Sequence, residues 1–331
     1  MPVRTIILIL FILAGSTAQP GIFAGEPEKQ DSPLFRYLSH EAGALMVAYT
    51  PSGLDPRYEP NYPAHPTSSI RADLMALKPY FNGLVLYGYH PAATPRILSI
   101  ARELGFRAVL FGIWEPKSAM EIDGVAELIR QFKSDFAMGV IIGNEGILFK
   151  RYESDDLKFA ADRLRGKIPG NIPLTTSEPL VSYESDFILK FGDFLAPNIH
   201  PAIDRPQLQA APAAAWAREE AIRLAAMAGK PVLLKETGFP HGGEVKFTPQ
   251  SQEKFWSSYL SPGTLVRLKA SNKVWVYFGV AFEGFDTPWK VEQYSLSIEK
   301  SWGLFSVERK AYPAVEVWRE TLEKQTILRS R

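Results

Sequence analysis

MGVIIGNEGILF, residues 138–149, runs an apolar segment straight into a carboxylate. Val140, Ile141, Ile142 and Gly143 read as a strand covered on both faces, the pattern of a parallel sheet packed by helices on either side. A charge at the mouth of such a strand is paired, hydrogen-bonded or chemically employed, because desolvating an isolated carboxylate is expensive. Glu145 therefore raises the question of fold and of function together.

The motif of strand, loop and amphipathic helix recurs along the chain. Eight candidate strands are ALMVAYT, NGLVLYGY, FRAVLFGIW, FAMGVIIGNE, IPLTTSE, DFLAPNIHP, KPVLLKETG and KVWVYFGVAFEGF. Between them SSIRADLMALKPYF, TPRILSIARELG, DGVAELIRQFK, DDLKFAADRLRGK and AAAWAREEAIRLAAMAG place apolar residues at helical spacing, and several end in Gly or run into Pro. Strands alternating with helices over roughly 280 residues match the size of a single α/β (β/α)8 TIM barrel. A doubly wound open sheet is the competing architecture, but it gathers its polar residues at one switch point. Here they stand at nearly every strand end: Tyr87 and His90, Trp114 and Glu115, Asn144 and Glu145, Ser177 and Glu178, Asn198 and His200, Glu236, Glu283 and Asp286. No GxGxxG follows the first strands and no GxxxxGK[ST] occurs, so the phosphate cradle of a nucleotide-binding fold is missing.

Composition narrows the chemistry. The chain has 331 residues, 46% hydrophobic and 22% charged, with a formal net charge of +1. It carries no electrostatic footprint for nucleic acid or an anionic surface, and a neutral substrate suits it best. With no cysteine, thiolate nucleophiles, disulfides and Cys-based metal sites are excluded. The five histidines, at 40, 65, 90, 200 and 241, form no HxxxH or HxH cluster, so neither a metal nor any other cofactor is expected. At the N-terminus Arg4 precedes IILILFILAG and the small residues Ser16, Thr17 and Ala18. This reads as a signal peptide over 1–24, cleaved after Ala18 or Ala24, that sends the protein to the periplasm or medium; an uncleaved membrane anchor is the alternative. A linker over 25–40, a barrel over 41–325 and a tail over 326–331 complete the expected organisation.

KPVLLKETGFP, residues 230–240, repeats the opening pattern: Val232, Leu233 and Leu234 run into Glu236. Glu145 closes the fourth strand and Glu236 the seventh, so in a barrel they face each other across the mouth. Two facing carboxyls suit glycoside hydrolysis, one as acid and one as nucleophile or base. They equally suit ion pairs with Lys235 or Lys290, and spacing alone leaves both readings open.

GNE at 143–145, KETGFP at 235–240, FEGFDTPWK at 282–290 and SWGLF at 301–305 occur in order, with NIHP at 198–201 and LYGYHP at 86–91 as looser matches. In these stretches the chain resembles glycoside hydrolase family 17, the β-1,3-glucanases and glucan transglycosylases, whose members read ETGWP and FEAFDEPWK at the corresponding places. The resemblance spans nearly the whole chain beyond the N-terminal segment. It implies a retaining barrel with Glu145 as general acid/base and Glu236 as nucleophile, their carboxyl groups about 5–5.5 Å apart. It further implies that Asn144 orients the acid or bonds the sugar 2-hydroxyl and that Tyr87 bonds the nucleophile. Glu283, Asp286 and Lys290 would form a polar cluster beside Glu236, Trp289 and Trp302 would offer stacking faces, and His200 would reach a sugar hydroxyl. Thr287 stands where fungal members carry an acid, Phe239 replaces a Trp, and NIHPAID lacks aromatics; these departures touch the subsites and leave the carboxylate pair intact. The expected partner is a β-glucan polysaccharide or oligosaccharide, with no nucleic acid or nucleotide. A β-1,3-glucanosyltransferase, an enzyme of another β-glucan and a non-catalytic glycan-binding barrel are the alternatives.

Overall fold

The computed structural model describes residues 32–40, 43–268 and 273–329, so the expected signal peptide lies outside the described residues. Strands β1 (Met46–Ala48), β2 (Gly83–Val85), β3 (Ala108–Ile113), β4 (Ala137–Asn144) and β5 (Leu174–Ser177) are parallel neighbours in sequence order. Their register aligns Val47, Leu84, Val109 and Met138 across four strands. The five helices read from periodicity are present at Thr67–Leu77, Thr94–Glu103, Ala119–Phe132, Ser154–Arg165 and Ala210–Ala228. The last stops at Gly229, whose left-handed φ of 62° suits a residue without Cβ.

The second half departs from eight regular strands. DFLAPNIHP forms only isolated parallel bridges, Pro179 to Asn198, Leu195 to Val232 and Asn198 to Glu236, in a segment where Pro197 has no N–H to give a ladder. KPVLLKETG contributes the two-residue β6 (Val232–Leu233). KVWVYFGVAFEGF divides at Gly279 into β8 (Trp275–Tyr277), which pairs with β6, and β9 (Val280–Ala281), which pairs with β1. Tyr277 folds over that break, its hydroxyl 2.2 Å from where a Cβ on Gly279 would sit, so a glycine is required. An antiparallel strand not expected from sequence, β7 (Leu265–Arg267), pairs with β8. The regular strands thus make a six-stranded parallel sheet that curls as a half-barrel, ordered β5-β4-β3-β2-β1-β9, and a three-stranded sheet ordered β6-β8-β7.

Both faces of the curled sheet are buried, which is why its strands read as unbroken apolar runs. Val47, Leu84, Val109 and Val140 face the helices, whereas Met46, Val85, Leu110 and Ile141 join an inner cluster with Leu233, Trp275 and Val280. The residues 33–40, expected as linker, are instead a helix (Pro33–His40) that plugs this inner cluster with Leu34, Phe35, Tyr37 and Leu38. Phe35 meets Phe194 and Trp275 edge-on at 5.7 and 5.4 Å, and Gly139 lets the helix close on β4, since a Cβ there would lie 2.5 Å from Leu34. This amphipathic octet was hidden behind the polar stretch preceding it. The C-terminal helix, Ala314–Arg329, likewise runs past the expected boundary at 325, anchored by Trp318 against Trp256 at 4.9 Å. Among the described residues no helix is long and apolar enough to cross a membrane.

Candidate active site

Strand β4 ends in a turn that redirects its last side chain. Its register with β5 shifts between Ile141 and Asn144, and the chain then takes positive φ at Gly143 (75°) and Glu145 (58°). The first costs little; the second is an uncommon conformation for a residue with a side chain, held here by surrounding contacts. The Glu145 amide donates to the Ser177 carbonyl at 2.8 Å. Beneath the turn lies Tyr152, whose hydroxyl accepts from the Gly146 amide at 2.9 Å and donates to Glu178 at 2.9 Å. A Cβ on Gly143 would lie 2.3 Å from the Tyr152 hydroxyl and one on Gly146 1.9 Å from its ring, so both glycines are needed for the side chain to sit there. Arg151 stacks 4.3 Å from the Trp114 ring and donates to the Asn144 carbonyl, bracing the turn from the other side.

Glu236 arrives differently, two residues beyond Leu234 in the irregular segment after β6. Its Oε1 receives Lys235 Nζ at 2.6 Å and its Oε2 faces His200 Nε2 at 3.2 Å. Lys235 is buried, and its ammonium also donates to Ser177 Oγ at 2.9 Å and to Asn144 Oδ1. Asn198 joins the two corners: its Nδ2 donates to Glu145 Oε1 at 2.9 Å while its Oδ1 accepts from Ser177 Oγ at 2.8 Å.

Oxygen atoms of Glu145 and Glu236 and a ring nitrogen of His200 lie within 4.8 Å of one another. This is the group among the described residues with the donors for a metal ion, but Lys235 already supplies a positive charge to Glu236 there. The two carboxyls are biased in opposite directions. Burial and the charge of Glu236 raise the Glu145 pKa above the ordinary carboxyl value. Burial also pushes Glu236 upward, but the Lys235 charge and the His200 hydrogen bond and charge outweigh it and hold the group at about 2. Burial, the largest influence, lowers the His200 pKa, but the hydrogen bond to Glu236 and the charges of Glu236, Glu145 and Asp204 together outweigh it and leave the imidazole raised.

A cleft of about 680 Å³ opens over this pair and is lined by Tyr87, Asn144, Glu145, His200, Glu236, Trp289 and Lys290, all named from sequence. Three of them have surroundings that strand-end position alone does not reveal. His200 bonds Glu236, with its ring edge against Trp302 (5.1 Å) and Phe282 (5.0 Å). Tyr87 approaches Glu236 and Glu283, and burial, their charges and a side-chain interaction with Glu236 raise its pKa strongly, although its buried hydroxyl has no partner at full hydrogen-bond geometry. Asn144 gives its Oδ1 to Lys235 and Asn198, so its amide nitrogen donates to no acceptor among the described residues.

Glu283 and Asp286 are not among the lining residues. Glu283 is buried, its oxygens each 2.9 Å from Lys290 Nζ and one of them bonded by Thr287, so the threonine that replaces the family's acid completes this cluster. Asp286 staples loops together, accepting from the Tyr312 hydroxyl at 2.8 Å and contacting His241 at 2.9 Å. Trp302, a stacking candidate from sequence, lines the cleft but is only 1% exposed and packs as core. The ion-pair and catalytic-pair readings of the sequence turn out to be compatible: Lys235 pairs with Glu236 inside the site, while Lys290 pairs with Glu283. Tyr152 and the bonding role of Asn198 were missed. A tyrosine seven residues after Glu145 carries no motif, whereas Asn198 was visible as a polar strand end.

A family model described as the BtgE/BtgC glycoside hydrolase domain matches residues 47–303. A curated Aspergillus niger protein, named for a glucan endo-1,3-beta-glucosidase and called btgC, is 25% identical over 304 residues, covering 82% of this chain and 43% of its own length. The chain therefore spans under half of that relative. Among solved structures, an endo-laminarinase from Formosa Hel1_33_131 superposes with a TM-score of 0.66 at 18% identity, covering 85% of this chain and 88% of that one. A glycoside hydrolase family 17 β-1,3-glucanosyltransferase from Rhizomucor miehei gives 0.62 at 19% identity, covering 83% and 97%. These structural likenesses establish a shared fold, and the family match goes further: this chain belongs to the BtgE/BtgC glycoside hydrolase domain family.

Proposed function

We propose that the protein is a secreted retaining glycoside hydrolase of β-1,3-glucan, built on a closed (β/α)8 barrel. The parallel bridges that link Pro179, Asn198 and Glu236 across the gap between the two sheets support closure. The N-terminal apolar segment supports export. One observation carries the reading of mechanism: two carboxyls with opposite protonation bias whose oxygens come within 4.8 Å. That separation favours direct attack over an intervening water, which needs about 6.5–9.5 Å.

In the first step Glu236 attacks the anomeric carbon as Glu145 gives its proton to the departing glycosidic oxygen. Esterification removes the Glu236 charge that helps raise the Glu145 pKa, so the acid becomes a base as the intermediate forms. Glu145 then takes a proton from water, whose oxygen displaces Glu236 from the sugar. The low basicity of Glu236 beside Lys235 weakens it as a nucleophile and improves it as a leaving group in this second step. Asn144 Nδ2 and the Tyr87 hydroxyl are the uncommitted donors available to sugar hydroxyls or to charge that develops at the reacting centre.

The test is product analysis on laminarin oligosaccharides with wild type, Glu145→Gln and Glu236→Gln. Shorter β-1,3 products that disappear in both variants support the proposal. Products longer than the substrate establish a glucanosyltransferase. Binding without turnover by wild type returns the protein to the non-catalytic class.

A further inference from the structure

The cleft has two unlike sides. Leu148 and Phe149 follow Glu145, Val181 lies beyond β5, and Ile203 lies beyond the bridged segment that holds Asn198. All four line the cleft, yet they are 44%, 58%, 54% and 44% exposed. Large apolar side chains left in water together around a functional cleft mark a surface that something apolar covers. The opposite side, after β1, β2 and β9, gathers Tyr62, Tyr89, Gln293 and Glu299, residue types that bond hydroxyls, beside a single exposed apolar residue, Leu296, and Arg57, which pairs with Asp55 and Glu292.

Chemistry decides which part of a substrate meets the apolar side. Glu145 delivers its proton to the glycosidic oxygen, so the group leaving on that oxygen departs over the loop that carries Glu145. Phe149 lies one turn along this loop, its amide donating to the Glu145 carbonyl at 3.1 Å. A sugar in that position would need polar partners, and few are uncommitted. Asn198 is spent on Glu145, Asn144 and Ser177, His200 on Glu236, and Asp204 accepts from the His200 amide at 2.9 Å, which leaves one Asp204 oxygen.

We propose that the leaving-group side of this cleft is a site for an apolar aglycone, so that the preferred substrates are amphipathic β-glucosides bearing an alkyl chain. This rests on the reading of Glu145 as the proton donor. The reaction is ordinary glycoside cleavage: the bond from the anomeric carbon to the alkoxy oxygen breaks, Glu145 protonates that oxygen, the sugar passes to Glu236, and water releases it.

The experiment compares methyl and octyl β-laminaribiosides, below the micellar concentration of the octyl compound, with laminaritriose as the all-sugar reference. The expected octyl-to-methyl ratio in kcat/KM is about tenfold or more, since each buried methylene favours binding appreciably. In the double variant Val181→Ser/Ile203→Ser the ratio falls toward one. Calorimetric binding of octyl and methyl β-glucoside to the same two proteins gives a second readout that needs no turnover. Failure to cleave laminaritriose with the octyl binding preference intact removes the β-1,3 assignment and keeps this one. Cleavage of laminaritriose with a ratio near one, or an octyl preference untouched by the double variant, overturns the apolar site.

Discussion

Glu145 and Glu236 stand within 4.8 Å of each other but are held by opposite means. Glu145 directly follows the eight-residue β4, in a turn with positive φ, and its carboxylate receives a neutral amide from Asn198. Glu236 follows the two-residue β6, is 4% exposed, and is gripped by Lys235 and His200. Backbone geometry places the first, and electrostatics holds the second. A dry site can keep one carboxyl protonated and another ionised only if their partners differ in charge, and here they do.

Removing each carboxylate tests that difference most severely. Glu236→Gln should lower kcat/KM by about 10⁴-fold or more on every substrate, because no covalent intermediate can form. Glu145→Gln should cost about as much on a poor leaving group but far less on a dinitrophenyl glycoside, which departs without a proton. Equal losses on both substrates would mean that Glu145 is not the acid.

Lys235→Met comes next. Without the ammonium, burial dominates and the Glu236 pKa rises, so the acid limb of the kcat/KM profile should move to higher pH. Activity near neutrality should drop by about 10²-fold, and urea denaturation should register about 3–5 kcal/mol of lost stability from breaking a buried pair. An acid limb that stays in place would leave His200 as the residue that sets the Glu236 charge.

Tyr152→Phe probes the other corner with a smaller effect. It strips the Gly146 amide of its acceptor and Glu178 of its donor, while the ring still fills the space beneath the turn. The expected cost is about 1–2 kcal/mol in stability and about tenfold in kcat with KM little changed, since the turn positions the acid and does not grip substrate. A change confined to KM would assign the turn to binding.

The same contrast explains what could be read from the residues alone. Continuous apolar runs ending in Asn144-Glu145 and Lys235-Glu236 carried both the parallel sheet and the facing pair, because strand burial and strand-end chemistry are local patterns. The broken second half was not legible. Pro197 and Gly279 interrupt strands only in concert with pairing partners far away in sequence, and the hairpin of β7 with β8 depends on register. Ion pairing was legible as a possibility, but not its arrangement. That Lys235 reaches Ser177 and Asn144 while Lys290 is diverted to Glu283 follows from how strand ends converge, and Asp286 became a staple because His241 and Tyr312 close on it.

The smallest effect separates the corners by their pH signatures. Glu178, behind the Glu145 turn, is fully buried, with one oxygen bonded by Tyr152 and the other unpartnered; burial lifts its pKa to about 7 despite the hydrogen bonds it accepts. A carboxyl raised in the folded state binds its proton more tightly than in the unfolded chain. Its stabilising contribution is therefore complete below the unfolded value, near 4.3, and is lost as pH rises through about 7. Glu236, held at about 2, acts in the reverse sense: its contribution is present above the unfolded value and disappears only as pH falls toward 2. Urea midpoints at pH 5 and pH 8 should show wild type losing stability across that interval, by at most about 3 kcal/mol from Glu178. Glu178→Gln should flatten the slope without abolishing it, because Glu145, Asp73, Glu121, Glu283 and the His200 imidazole are raised as well and pull in the same direction. An unchanged slope in Glu178→Gln would remove Glu178 from the dependence and leave it to Glu145, His200 and the other raised carboxyls; a slope that then flattens in Glu145→Gln would make the acid itself the pH-sensitive group of this corner.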